Sequence, residues 1–196
     1  MPSSEAMQED LIRWKRFKGG DAAAFESIIR DEFRALFEYG TRFIHDRDTL
    51  NDCIYDLFTS LWDRRSFLAD TDQIRPYLLK SLRNRLLKEK ERANHLTNFE
   101  GWQEQMEPDD NAESQIITSE ISAQQTRRIS SVLCTLTPRQ REIIHLKFFE
   151  NLSNEQISDV LAISRPAVSN LLSQALKLFR DKWQATISTL FFVLTY

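Results

Sequence analysis

Apolar residues recur at steps of three and four along most of this chain, and that period favours helices over strands. From Ala22 to Phe43 the positions Ala22, Phe25, Ile28, Ile29, Phe33, Leu36, Phe37 and Phe43 follow it. A second run from about Thr49 to Trp62 puts Leu50, Ile54, Leu57, Phe58, Leu61 and Trp62 on one face. A third has Pro76 in its first turn, where the missing N–H costs nothing. It turns Tyr77, Leu78, Leu79, Leu82, Leu86 and Leu87 inward and Lys80, Arg83, Asn84, Arg85 and Lys88 mostly outward. Three such helices can close one small core. Four glycines and five prolines in 196 residues argue against a turn-dense all-β protein, and no GxGxxG or GxxxxGK[ST] phosphate loop occurs.

The last third reads as a second helical unit. A short helix is expected over about 126–134. Thr137-Pro138-Arg139-Gln140 and Ser153-Asn154-Glu155-Gln156 both carry capping-box spacing, which marks helix starts at Pro138 and Asn154. Helices are therefore expected from Pro138 to about Glu150, from Asn154 to Ala162, and from about Arg165 to Thr186. The twenty residues NEQISDVLAISRPAVSNLLS, Asn154 to Ser173, fit a helix-turn-helix. Ile157, Leu161, Ile163, Val168 and Leu171 stand where two short helices meet. Ser158 is small at the crossing, Ala162 is small at the turn, and Ser164 can cap the second helix. Such a motif holds its second helix proud for the DNA major groove. The exposed candidates there are Arg165, Ser169, Asn170, Ser173, Gln174 and Lys177. Only two are basic, so binding is expected to be weak and assisted by another protein.

The net charge of −3 hides an uneven distribution. Residues 1–92 balance 17 basic against 17 acidic side chains, yet 75–92 alone carry seven basic and two acidic. Residues 93–126 have seven acids and no Lys or Arg, and 127–196 have nine basic and five acidic residues. It is the two basic patches that a phosphate backbone would feel. The acidic middle reads either as a solvated tether or as a segment that mimics nucleic acid. The apolar tail WQATISTLFFVLTY, 183–196, reads either as packed within the chain or as an interface for a partner, and is too short to enter a membrane.

Other chemistry finds little support. Cys53 and Cys134 lack CxxC spacing, and His45, His95 and His145 are scattered, so neither a disulfide framework nor a metal site is expected. No nucleophile, base and orienting acid stand together; no cofactor and no enzyme activity are expected. The polar, acidic start is not a signal peptide, which places the chain in a reducing cytoplasm.

Two separated blocks resemble a known family. DRDTLNDCIYDLFTSLWDRRSF followed by IRPYLLKSLRNRLLKEKER is similar to region two of bacterial RNA polymerase sigma factors of the extracytoplasmic-function type. LCTLTPRQREIIHLKFFENLSNEQISDVLAISRPAVSNLLSQALKLFR is similar to their region four. The resemblance spans roughly residues 10–182. It implies an all-α fold of two small domains: a region-two-like domain of three or four helices over 1–92, and a helix-turn-helix domain over 127–182. An acidic linker, 93–126, would join them, with the tail at 183–196.

The implied function is that of an alternative sigma factor, which binds core polymerase, directs initiation at promoters and is held in check by an anti-sigma factor. Asp52, Asp56, Leu57, Phe58 and Trp62 would meet the clamp coiled coil of the polymerase's largest subunit. Arg64, Phe67, Arg83, Asn84, Arg85 and Lys88 would meet the minus-ten element, with Tyr77 in support. Arg139, Arg165, Ser169, Asn170, Ser173 and Lys177 would meet the minus-thirty-five element, with Arg141 and Lys147 available for phosphate. The family often carries more Arg or Lys where Ser169, Leu171, Gln174 and Leu176 stand here. Two rivals share these features: a regulator that uses the helix-turn-helix alone, and an adaptor that binds polymerase or an inhibitor without directing transcription.

Overall fold

A computed structural model describes residues 4–97, 133 and 135–194, with side chains over 6–92, 133 and 135–181. Seven α-helices and no strand occur among the described residues: α1 (Ser4–Lys18), α2 (Ala22–Gly40), α3 (Arg47–Asp63), α4 (Ile74–Thr97), α5 (Pro138–Phe148), α6 (Asn154–Leu161) and α7 (Arg165–Leu194). One turn of 3-10 helix, Arg65–Phe67, follows α3. The helix expected over 126–134 lies outside the described residues apart from Leu133. So do Cys134 and the acidic segment beyond Thr97. No helix is long and apolar enough to cross a membrane, and no metal-ligating cluster forms, among the described residues.

Local chemistry sets the helix ends. The Asp21 carboxylate accepts from Ala24 N at 3.1 Å and Asp46 accepts from Thr49 N at 3.0 Å, each taking up an N–H that a helix start leaves free. Both expected capping boxes form: Gln140 N donates to Thr137 Oγ1 at 3.2 Å, Gln156 N to Ser153 Oγ at 3.1 Å, and each glutamine carbonyl accepts in return. Three expected boundaries move. Helix α2 stops at Gly40, so Phe43 lies in the turn that follows. Helix α5 ends at Phe148, and Glu150 is already beyond it. Helix α7 passes Thr186 and continues to Leu194, because neither Gly nor Pro interrupts the chain between Ala167 and the tail.

The cap carboxyls respond to acid. Hydrogen bonding holds both below the ordinary aspartate value: at Asp21 chiefly the Ala24 N–H and then Arg16, at Asp46 the Thr49 hydroxyl and then its N–H. A depressed pKa contributes stability that is present above the unfolded value near 4 and lost as pH falls through the folded one. Asparagine caps nearly as well without titrating. The double substitution Asp21→Asn, Asp46→Asn is therefore expected to reduce the fall in urea midpoint between about pH 6 and about pH 2.5. An undiminished fall in the double variant would place the acid sensitivity elsewhere.

Helix α1 is an element that periodicity from Ala22 onward did not reveal. It lies against α2 and buries Trp14 and Phe17 completely. The Trp14 ring meets Phe17 and Tyr77 edge-on at 5.2 and 5.1 Å. Helices α2, α3 and α4 close the core with Leu36, Leu50, Ile54, Leu78, Leu82 and Leu86, all with no exposure. Tyr77 and Leu87, expected inside, are half-buried. Gly40 sits where α2 crosses α3, and a Cβ there would fall 2.3 Å from Leu50 Cδ1. Alanine is the better helix former by about 1 kcal/mol, but Leu50 has no room to retreat. Gly40→Ala is expected to destabilise by about 1–3 kcal/mol in urea unfolding; a neutral or stabilising result would contradict this packing.

Candidate nucleic-acid interface

The helix-turn-helix is made by α6, a tight turn and the start of α7. Ala162 ends α6 at φ 53°, ψ 47°, in the left-handed region, where glycine would sit without the cost of about 1–2 kcal/mol that a Cβ adds. Ser158 supports the turn twice: its hydroxyl donates to Ile163 O at 2.6 Å and its carbonyl accepts from Ile163 N at 3.1 Å. Ser164 Oγ accepts from Ala167 N at 3.4 Å. Ile157, Leu161 and Val168 are buried, while Ile163 and Leu171 pack on them half-buried.

On α7, Arg165, Ser169, Asn170, Ser173 and Lys177 are all exposed, with 165, 169, 173 and 177 in line at four-residue steps. Arg165 is paired to Glu155, and Asn154 Nδ2 lies 3.4 Å from Ser169 Oγ. Arg139, expected with this set, is held elsewhere. Its guanidinium donates to Leu161 O at 3.0 Å and Glu142 Oε2 at 3.1 Å, so it caps the end of α6. Lys147 likewise donates to Leu152 O at 3.2 Å.

The residues expected at the minus-ten element divide in two. Arg64, Phe67, Asn84 and Lys88 are exposed, and Phe67 keeps 86% of its surface free on the turn after α3. Arg85 is half-buried, donating to Ser60 Oγ and lying 3.7 Å from Asp56 Oδ2. Of this set, Arg64 and Arg85 line a concavity together with Ser60, Leu61, Leu68, Tyr77 and Ser81. Arg83 departs from the outward direction expected of it. Its side chain is 12% exposed and its Nε donates to Glu142 Oε1 at 2.7 Å, because a helix from the other unit covers that face of α4.

On α3, Asp52 and Asp56 are exposed as expected. Leu57 and Phe58 are 3% and 4% exposed, so they face the core and offer no surface to a partner. Trp62 is half-buried, with the Arg65 guanidinium over its ring at 4.5 Å. Between the two acids stands Tyr55, 59% exposed, with the half-buried Phe33 ring 6.1 Å away. Tyr55 is not among the expected contacts, although the helical period places it with the acids: residues 52, 55 and 56 share a face opposite 54, 57, 58 and 61.

The two units share one continuous core. Helix α6 lies across α4, and Gln156 Nε2 donates to Gln73 Oε1 at 3.0 Å. Glu142, nearly buried, sits at the centre of a polar cluster. Its Oε1 accepts from Tyr39 Oη at 2.7 Å as well as from Arg83. Burial, followed by the neighbouring Glu142 charge, pushes the Tyr39 hydroxyl well above its ordinary pKa, so it remains a donor. Beside this, Arg75 Nε donates to Glu32 Oε2 at 2.7 Å and its Nη1 lies 3.5 Å from Glu150 Oε2. His145 Nε2 is 3.1 Å from Glu150 Oε1, close but off the line of a hydrogen bond. The His145 ring lies between Tyr39 and Phe149 at 5.9 and 5.2 Å. Cys53 is half-buried, and its thiol is raised by burial first and then by Glu89, which disfavours the reactive thiolate.

Residues 126–179 match the family described as sigma-70, region 4. A sequence search of curated proteins finds no significant match. Among solved structures, the chain is similar to CnrH in complex with the cytosolic domain of CnrY. There the TM-score is 0.61 and the identity 17%, over 90% of this chain and 97% of that one. It is also similar to the sigma factor RpoE, in complex with the anti-sigma factor NepR, from Bartonella quintana. Here the TM-score is again 0.61 and the identity 15%, over 82% and 96% of the two chains. Residues 126–179 thus match a sigma-70 region 4, and the chain as a whole shares its helical fold with these two solved structures.

Proposed function

We propose that this chain is an alternative sigma factor that binds core RNA polymerase, recognises two promoter elements and helps open the duplex. The observation that carries the reading is the joining, in one fold, of a region-4 helix-turn-helix to a helical domain with two contrasting exposed faces. One of these faces, on α3, is acidic and aromatic: Asp52, Asp56 and Tyr55 suit a basic coiled coil of the polymerase. The other is basic. Arg64, Asn84 and Lys88, with the free Phe67 ring, suit a separated strand, where cations follow phosphates and an aromatic ring stacks on bases. Helix α7 then takes the minus-thirty-five element through Arg165, Ser169, Asn170, Ser173 and Lys177.

We assign residues 1–92 to the first domain and 127–182 to the second. The role is one of binding, with no chemical step of its own, in the cytoplasm where polymerase works. An anti-sigma factor as regulator is favoured by the solved complexes of similar fold. Transcription in vitro with bacterial core polymerase and a library of promoter fragments tests the reading. Selective initiation that requires this protein is the expected result. Core binding without initiation would favour an adaptor, and failure to bind core would leave a DNA-binding regulator.

A further inference from the structure

Two arginines expected at promoter DNA, Arg83 and Arg139, and a third on the same basic helix as Arg83, Arg75, are not free in this structure. Arg83 and Arg75 project from α4, and Arg139 from α5; all three are held by carboxylates, two of which come from across the domain boundary. One oxygen of Glu142 takes Arg83 at 2.7 Å while the other takes Arg139 at 3.1 Å, with Tyr39 Oη completing the set. Glu150 reaches Arg75 from the same side. A carboxylate seated between guanidinium groups offers what a backbone phosphate offers them: negative oxygens that accept charge-assisted hydrogen bonds.

We propose that Glu142, assisted by Glu150, occupies the seats of promoter phosphates in the free protein, latching the second domain onto α4 so that closure and DNA binding exclude one another. The proposal rests on the reading of α4 as promoter-facing and adds the device that controls it. The first domain offers Arg83 and Arg75, and the second offers the acids that meet them. Arg139, from the second domain, is drawn into the same cluster. The buried setting makes the latch discriminating. Glu142 and Arg83 are both nearly out of water, and removing one partner leaves the other charge stranded. Polymerase, by spreading the domains along a promoter, would part Arg83 from Glu142 and Arg75 from Glu150.

The experiment uses the full chain with Glu142→Gln, which keeps shape and removes charge, and reads two quantities without polymerase. Small-angle scattering is expected to show a larger radius of gyration. Affinity for a short fluorescent duplex of random sequence is expected to rise, by about tenfold if the closed form holds about 90% of the wild-type population. Its salt dependence should steepen by about two in log–log slope as two further arginines reach phosphate. A compact variant with unchanged affinity would overturn the latch. Expansion without gain in DNA affinity would overturn the phosphate mimicry.

Should Glu142→Gln lose its helical circular-dichroism signal, Tyr39→Phe becomes the test. It removes one hydrogen bond and keeps the ring; a smaller expansion in the same direction is expected, and none would count against the proposal. The sigma reading fails separately. If wild type never initiates with core while Glu142→Gln expands and gains DNA affinity, the latch stands and the sigma assignment falls. Initiation by a wild type whose Glu142→Gln variant neither expands nor gains DNA affinity has the opposite meaning.

Discussion

Trp14→Ala is expected to lower the unfolding free energy by about 3–5 kcal/mol, a large share of what a protein of this size possesses. The indole is fully buried and ties three elements together. Its faces and edges meet Phe17 of α1 and Tyr77 of α4, and its Nε1 donates to Ala69 O at 2.9 Å, on the loop between α3 and α4. Truncation removes the ring and its hydrogen bond and leaves a cavity between helices that cannot all collapse into it. The same loop holds Lys18 against Asp70, an exposed pair that cannot compensate. Urea unfolding followed by circular dichroism gives the measurement. A loss below about 1 kcal/mol would mean that α1 is a loosely attached arm and that the core begins at α2.

The second large effect concerns polymerase. Reversing both Asp52 and Asp56 to lysine is expected to weaken core binding by about 3 kcal/mol, roughly a hundredfold, since like charges would face a basic coiled coil. Tyr55→Ala is expected to cost about 2 kcal/mol of the same affinity, in the manner of an aromatic anchor ringed by polar groups. Neither change should disturb folding. Tyr55 is mostly exposed, and the one described ion pair here, Asp56 to Arg85 at 3.7 Å with Asp56 76% exposed, contributes little. Leu57→Ala gives the contrast: a buried leucine on the opposite face, it should cost stability and leave the binding constant of the folded fraction unchanged. Equilibrium binding of the variants to purified core separates these outcomes. Affinity unaltered by the double reversal would remove α3 from the polymerase interface.

Much of this protein is legible without coordinates, because much of it is written in short-range chemistry. A capping box needs only four consecutive residues, and Thr137–Gln140 and Ser153–Gln156 form as their spacing requires. A helix-turn-helix needs about twenty, and Asn154–Ser173 meets its demands down to the left-handed Ala162. The period of 3.6 residues correctly buried Ile54, Leu61, Leu78 and Leu82, since a helix facing one core must repeat its apolar face. The same period could have distinguished Tyr55 from Leu57 and Phe58.

The rest depended on what lies across the fold. Helix α1 carries many charges and few large apolar residues, and its claim to the core rests on where Trp14 and Phe17 land, against Tyr77 and Phe25. Arg83 has the outward phase of a solvated cation, and only the arrival of Glu142 from 59 residues further on turns it into a buried partner. Periodicity tells which side of a helix is apolar, because that is a property of neighbouring turns. It does not tell which charge will meet which, because burying an arginine requires a carboxylate brought from a distant part of the chain. Only the packing of the two domains decides that pairing.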